Sequence, residues 1–244
     1  MWLVLCEPSD GAALWAYAGL RDRGLSPLEL ISPQALVCST RSVHRIGEHG
    51  ASFEIGLPDG RRLSSGDIKG VLNRWSNVPT NHLIGASESE TRYAAEELNA
   101  LVLSWLACIG RVAINRPSPR GLPGAWRSGS EWAMLAARAG FPVAALRLSS
   151  HHAPVVQAPA IETRSLIVLG GRIFGAELPP HVAQACARLA QLADTDLLGI
   201  ELHIDTAHRM YFGAATPWPD LRIGGRGLID HLHHCLTSPA MALT

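Results

Sequence analysis

At 244 residues with 47% apolar side chains, the chain has enough material for a packed core in one large domain or two small ones. Its 21 basic and 21 acidic residues cancel. The arginines are scattered along the chain, so composition offers no electrostatic footprint for nucleic acid, and that class of partner is set aside. No apolar run reaches the roughly 18–20 residues of a membrane-spanning helix, and the Trp2–Cys6 run meets Glu7 and Asp10 at once, unlike a usual signal peptide. Cys6, Cys38, Cys108, Cys186 and Cys235 are odd in number and form no CxxC pair, which fits reduced thiols. The expectation is a cytoplasmic protein with no membrane contact.

In chain order, Trp2–Cys6 is a short strand bounded by Pro8-Ser9-Asp10, where Ser9 or Asp10 can cap a helix over Gly11–Arg23 that stops at Gly24. Leu28–Ile31 reads as the next strand. Val43–Ile46, Ser52–Leu57 and Arg61–Leu63, with the turn Pro58-Asp59-Gly60, read as small antiparallel strands, and Val71–Asn73 returns to the main sheet. Ser87 and Glu90 have capping-box spacing ahead of an amphipathic helix over Thr91–Ile109. Val112–Ile114 is a strand. Ser128 and Glu131 make a second capping box before a helix that stops at Gly140, and Val143–Leu146 follows as a strand. Alternating strands and helices imply a mostly parallel sheet with helices on its faces.

Beyond a short Pro-containing connector, Arg164–Glu177 reads as a hairpin turning at Gly170-Gly171. A helix starts at Pro179-Pro180 and ends near Asp194. Leu198–Ile204 and Arg209–Phe212 form a second hairpin around the turn Asp205–His208, leading into Pro217-Trp218-Pro219-Asp220, and Arg226–Leu236 is the final helix.

Three stretches together resemble ATP-grasp ligases such as glutathione synthetase and the ribosomal-protein glutamate ligases. Ala113–Pro117 with Ala136–Val143 is similar to the end of the family's pre-ATP-grasp domain. Arg164–Glu177 resembles a hairpin of its C-terminal subdomain, and Leu197–Leu221 resembles its metal-binding hairpin. The resemblance implies a pre-ATP-grasp-like α/β domain over 1–150, a linker at 151–163 where the family has its central lid subdomain, and an α+β C-terminal subdomain over 164–244. In that family an acid on the first strand and a Glu-x-Asn-Pro run on the second hold the magnesium ions that bridge the ATP phosphates. Glu201 keeps the first position, but Ala214 stands at the Glu position and Thr216 at the Asn position, before the matching Pro217. Magnesium takes oxygen ligands, usually one or two carboxylates plus phosphates. Lys69 is the sole lysine among the 21 basic residues, so the lid lysines with which the family grips phosphates have no counterpart.

The resemblance therefore implies a chain that keeps the ligase shell and has lost the reaction, with no resident cofactor and with a protein partner or a second copy of itself bound on the retained surface. Arg74, Trp75, Asn115, Arg116, Arg164 and Trp218 are candidates for a ligand or interface cleft; Trp75, Trp126 and Trp218 sit in loops as exposed-looking aromatics. Arg164 and Arg172 can hold an anion, or simply cover the hairpin and pair with nearby acids. One alternative is an ATP- and magnesium-dependent carboxylate–amine ligase completed by a partner chain. Another is a small-molecule or metal protein reusing the cleft, with zinc on His231, His234 and Cys235. At 100° per residue, however, Cys235 shares the apolar face of its helix with Leu228, Leu232 and Leu236, while Asp230, His233 and His234 turn outward. No Gly-x-Ser-x-Gly elbow or Walker loop is present.

Overall fold

The computed structural model describes residues 1–48, 50–144 and 162–238. They form two compact units. The first combines Met1–Ala125 with the chain from Ile229 onward, and the second is Trp126–Leu228. Both boundaries differ from those drawn at 150 and 164: the segment after Ala125 joins the second unit, and the end of the final helix returns to the first.

In the first unit, β1 (Trp2–Leu5) is flanked by parallel β2 (Leu28–Ile31) and β6 (Gly70–Asn73), and β6 by β7 (Ala113–Ile114), giving the order β2-β1-β6-β7. Between β2 and β6 the chain makes α2 (Pro33–Val37) and an antiparallel meander of β3 (Arg41–Gly47), β4 (Gly50–Gly56) and β5 (Arg62–Ser64). α1 (Gly11–Asp22) starts at Asp10, whose carboxylate accepts the Ala12 and Ala13 N–H groups. α3 (Glu88–Cys108) starts on the full Ser87/Glu90 capping box. Leu3, Leu5 and Val71 from the parallel sheet, Phe53, Ile55 and Leu63 from the meander, and Val102, Trp105 and Leu106 from α3 close one core. α2 was not expected: five residues are too few to show a period, although Ser32 caps the Ala35 N–H and Pro33 opens the helix.

The second unit is an antiparallel sheet of order β11-β10-β8-β9, made by β8 (Glu162–Leu169), β9 (Arg172–Phe174), β10 (Leu197–Ile204) and β11 (Met210–Thr216). α4 (Gly129–Ala139) begins on the Ser128/Glu131 capping box and ends at Gly140, whose φ of 102° is the left-handed cap that glycine favours. With α5 (Pro180–Leu192) it buries Leu166, Val168, Leu198, Ile200 and Leu202 on one sheet face. Val143, placed on a strand from sequence, makes an isolated parallel bridge to Phe212 and Ala144 carries no strand pairing; residues 145–146 of that expected strand and nearly all of the 151–163 linker lie outside the described residues. Glu162 and Thr163, assigned to the linker, already belong to β8. α6 (Gly225–Thr237) runs from the second unit into the first with Leu228, Ile229, Leu232, Cys235 and Leu236 buried. No helix among the described residues is long and apolar enough to cross a membrane.

Candidate functional site

The β10–β11 hairpin is set by its turn. One Asp205 oxygen accepts the backbone N–H groups of Ala207 and Arg209, and the other accepts from the Arg209 guanidinium and the Tyr211 hydroxyl. The Arg209 backbone N–H is the leading cause that holds the Asp205 carboxyl at a pKa of about 2. From this turn the strands pair Ile204 with Met210, His203 with Tyr211 and Leu202 with Phe212; the register then shifts, and Glu201 lies opposite Ala214 and Gly199 opposite Thr216. Gly213 is the extra residue of this β-bulge. A Cβ there would lie 2.6 Å from His203 Nε2 and 3.0 Å from the Glu201 carbonyl oxygen, so a side chain would have to displace the His203 ring and crowd the backbone of β10. The bulge also explains why β11 runs on to Thr216 rather than stopping near Phe212: the glycine that reads as a breaker absorbs the register shift.

The Pro217–Asp220 segment folds back on β10. Pro219 lies over Gly199, where a Cβ would come within 2.6 Å of the Pro219 Cβ, and the Thr216 hydroxyl accepts the Trp218 N–H at 3.1 Å. Asp220 accepts the Arg222 N–H at 3.1 Å and binds its guanidinium at 2.6–3.1 Å. These pieces enclose a cleft of about 300 Å³ lined by Ser165, Glu201, Ala214, Thr216, Trp218 and Asp220 among others. Glu201, Ala214, Thr216 and Trp218 were singled out from sequence, and the hairpin brings all four to this cleft. Asp220 was missed as a member, because its place depends on the fold-back over Gly199.

The donor set does not suit a magnesium–nucleotide complex. Glu201 is an exposed carboxylate whose direct cross-strand neighbour is the methyl group of Ala214. Opposite residues in an antiparallel pair stand about 4.5–5.5 Å apart at Cβ, so the position nearest to a shared cation offers carbon. Asp220 is the other carboxylate of the cleft, but its charge is matched by Arg222, and a guanidinium there opposes a divalent cation. Among the described residues no group of three or more His, Cys, Asp and Glu side chains could hold a metal ion. The zinc alternative fares no better: Cys235 is buried, and the His231 and His234 rings stack at 6.0 Å.

The other sequence candidates lie in varied surroundings. Arg74 is 3% exposed and pairs with Asp10 at 2.7 Å, itself in the core of the first unit. Trp75, expected to be exposed, is 1% exposed and packs in that core, its indole N–H donating to the Asn77 carbonyl. The loop is held there by Asn73, which donates to the Leu122 carbonyl at 2.7 Å and accepts the Trp75 N–H at 3.2 Å. Asn115 is buried with φ of 58°, a backbone state that asparagine tolerates, while Arg116 is exposed. Trp126 is 41% exposed, as expected. Arg164 pairs with Glu162 at 2.8 Å, so the surface-pairing reading is the one observed, and Arg172 lies exposed beyond the glycine turn.

No sequence-family description and no curated protein matches the chain. Solved structures do. A RiPP-associated ATP-grasp ligase from Chryseobacterium gregarium, in complex with ADP and a leader and core peptide, superposes with TM-score 0.72 at 14% identity over 98% of each chain. The macrocyclase MdnC from Microcystis aeruginosa MRC, bound with precursor peptide MdnA, gives TM-score 0.70 at 9% identity over 96% of this chain and 99% of that one. The ATP-grasp ligase PsnB, complexed with precursor peptide PsnA2 and AMPPNP, gives 0.69 at 18% identity over 99% and 98%. At these identities the likeness is one of fold: the chain has the ATP-grasp-like fold that its hairpins resemble.

Proposed function

We propose that this chain is a non-catalytic ATP-grasp homologue that acts as a protein-interaction or accessory subunit of a peptide-modifying ligase. The observation that carries the reading is the cross-strand register that sets Glu201 against Ala214, with Asp220 beside it already held by Arg222. Phosphoryl transfer rests on positioning and electrostatic stabilisation of the phosphates, and the two carboxylates of this cleft are an isolated Glu201 and an Asp220 already held by Arg222, with no lysine in its lining. The loss of the lid belongs to the same reading: only the stretch 145–161 separates the Ala136–Val143 landmark from the strand that carries Arg164. All three neighbours in fold are complexed with leader, core or precursor peptides, and two of them also with ADP or AMPPNP, which supports a peptide-modifying setting. The partner is then a ligase, its peptide, or a second copy of this chain.

A second reading keeps catalysis: an ATP-dependent carboxylate–amine ligase whose missing groups come from a partner. The near end-to-end match to nucleotide-bound ligases favours it. Calorimetry with ATP and magnesium separates the two. The accessory reading predicts no heat of binding for this chain alone at millimolar nucleotide and, with a candidate ligase, no more than the ligase gives by itself; additional saturable binding that a Glu201→Ala variant abolishes would support the catalytic one.

A further inference from the structure

The meander of the first unit carries a second cleft, remote in sequence from the ATP-grasp-like hairpin. β4 is its central strand, and one row across the three strands reads Arg41, Gly56, Arg62: Arg41 pairs with Gly56 on one side, and Gly56 with Arg62 on the other. Residues directly opposite one another share a sheet face, so both arginines rise from the same face with a glycine between them. The opposite face, with Phe53, Ile55 and Leu63, is buried in the core. Neighbouring strands lie about 4.8 Å apart, which sets the two arginine backbones about 10 Å apart, and the missing side chain at Gly56 leaves the space between them open. The resulting cleft has a volume of about 570 Å³, with Thr40, Gly60, Ser64 and Asp67 also in its wall.

Charge in this cleft is unevenly committed. Glu54, in the lining, pairs with Arg45 at 2.8 Å, and Arg61 is engaged by Asp59 and Glu29. Arg41 and Arg62 are exposed, and among the described residues their side chains make neither an ion pair nor a hydrogen bond. Two like charges facing one another across a gap repel, and an oxyanion between them removes that cost while accepting from both planar forks. The Thr40 hydroxyl, which lines the cleft, would lie 3.1 Å from a Cβ at Gly56, so a larger residue there crowds the floor of the gap.

We propose that Arg41 and Arg62 form a binding site for the dianionic phosphoryl group of a soluble small molecule, seated over Gly56. A tetrahedral dianion offers enough oxygens for two forks approaching from opposite sides, which a single carboxylate does not. The assignment is independent of whether the hairpin of the second unit binds nucleotide.

The test is titration of the full chain with inorganic phosphate, followed by 31P NMR and calorimetry at low ionic strength, with acetate as the monoanionic comparison. Phosphate should bind in a saturable manner more tightly than acetate and weaken with added salt, since exposed charges are screened within about 10 Å at 0.1 M. Arg41→Ala and Arg62→Ala should each weaken it by about tenfold, as loss of a charge-assisted hydrogen bond requires, with the unfolding transition unmoved. Gly56→Val should abolish it with both arginines in place, while Arg111→Ala, elsewhere on the unit, should leave it unchanged. Absence of saturable phosphate binding, equal binding of acetate, or unchanged affinity in Arg41→Ala/Arg62→Ala overturns the proposal. Should Gly56→Val fail to fold, the two arginine variants decide the matter alone.

Discussion

Two charged groups, one in each unit, were site candidates on sequence, Arg74 for a ligand or interface cleft and Glu201 for a metal position, and they have opposite surroundings. Arg74 is buried at 3% exposure, paired with an Asp10 that also caps a helix. Glu201 is exposed on a strand, and the residue opposite it is an alanine. A buried charge persists only where its partner and hydrogen bonds offset desolvation, so Arg74 is held by the fold. An exposed acid needs no partner, so Glu201 can remain after the groups around it have changed. Burial with full pairing therefore marks structure here, and on the proposed reading the acid beside a nonpolar neighbour marks a site without its chemistry.

The comparison breaks most visibly at the buried pair. Arg74→Ala leaves Asp10 without its counter-charge and should cost about 3–5 kcal/mol in urea unfolding. The double variant Asp10→Ser/Arg74→Met, which keeps a helix cap and fills the space, should recover most of that loss. In the second unit, Gly199→Val drives a side chain into Pro219, which already lies 2.6 Å from a Cβ position, and should cost about 1–3 kcal/mol.

A smaller effect sits at the hairpin turn. Asp205 is held at about 2, below its ordinary 3.8, so its contribution is fully present above the ordinary value and is lost as the pH falls through about 2. The stability gap between wild type and Asp205→Asn should thus be complete at neutral pH and close across that acid window, a trend read from thermal unfolding at a series of pH values. The smallest effect belongs to Glu201→Gln, which should shift stability by no more than about 0.5 kcal/mol, as for other surface positions free of special contacts.

What the sequence disclosed follows the range of each interaction. Ser87 with Glu90 and Ser128 with Glu131 act over three residues and both form the boxes expected, although α3 begins directly after Ser87 at Glu88 rather than at Thr91. Gly170-Gly171 turns the β8–β9 hairpin for the same local reason. The pairing of Arg74 with Asp10 spans 64 residues, and nothing near either one announces it. Trp75 reads as a loop aromatic because the core cluster it belongs to is assembled from distant segments, β1, β4 and α3 among them. At the hairpin, the positions of Glu201, Ala214 and Thr216 were legible through their resemblance to a ligase motif. The bulge at Gly213 and the fold-back that brings in Asp220 required the register and the close approach at Gly199.

The most direct test of the account is divalent-cation binding at the hairpin, measured with Mn2+ as a spectroscopic stand-in for magnesium by electron paramagnetic resonance. Mn2+ alone and Mn2+–ATP should each keep with wild type the spectrum they have without protein, and Ala214→Glu/Thr216→Asn, which supplies a carboxylate opposite Glu201 and an amide opposite Gly199, should gain binding. Stoichiometric Mn2+ on the wild-type chain, lost in Glu201→Ala, would contradict it.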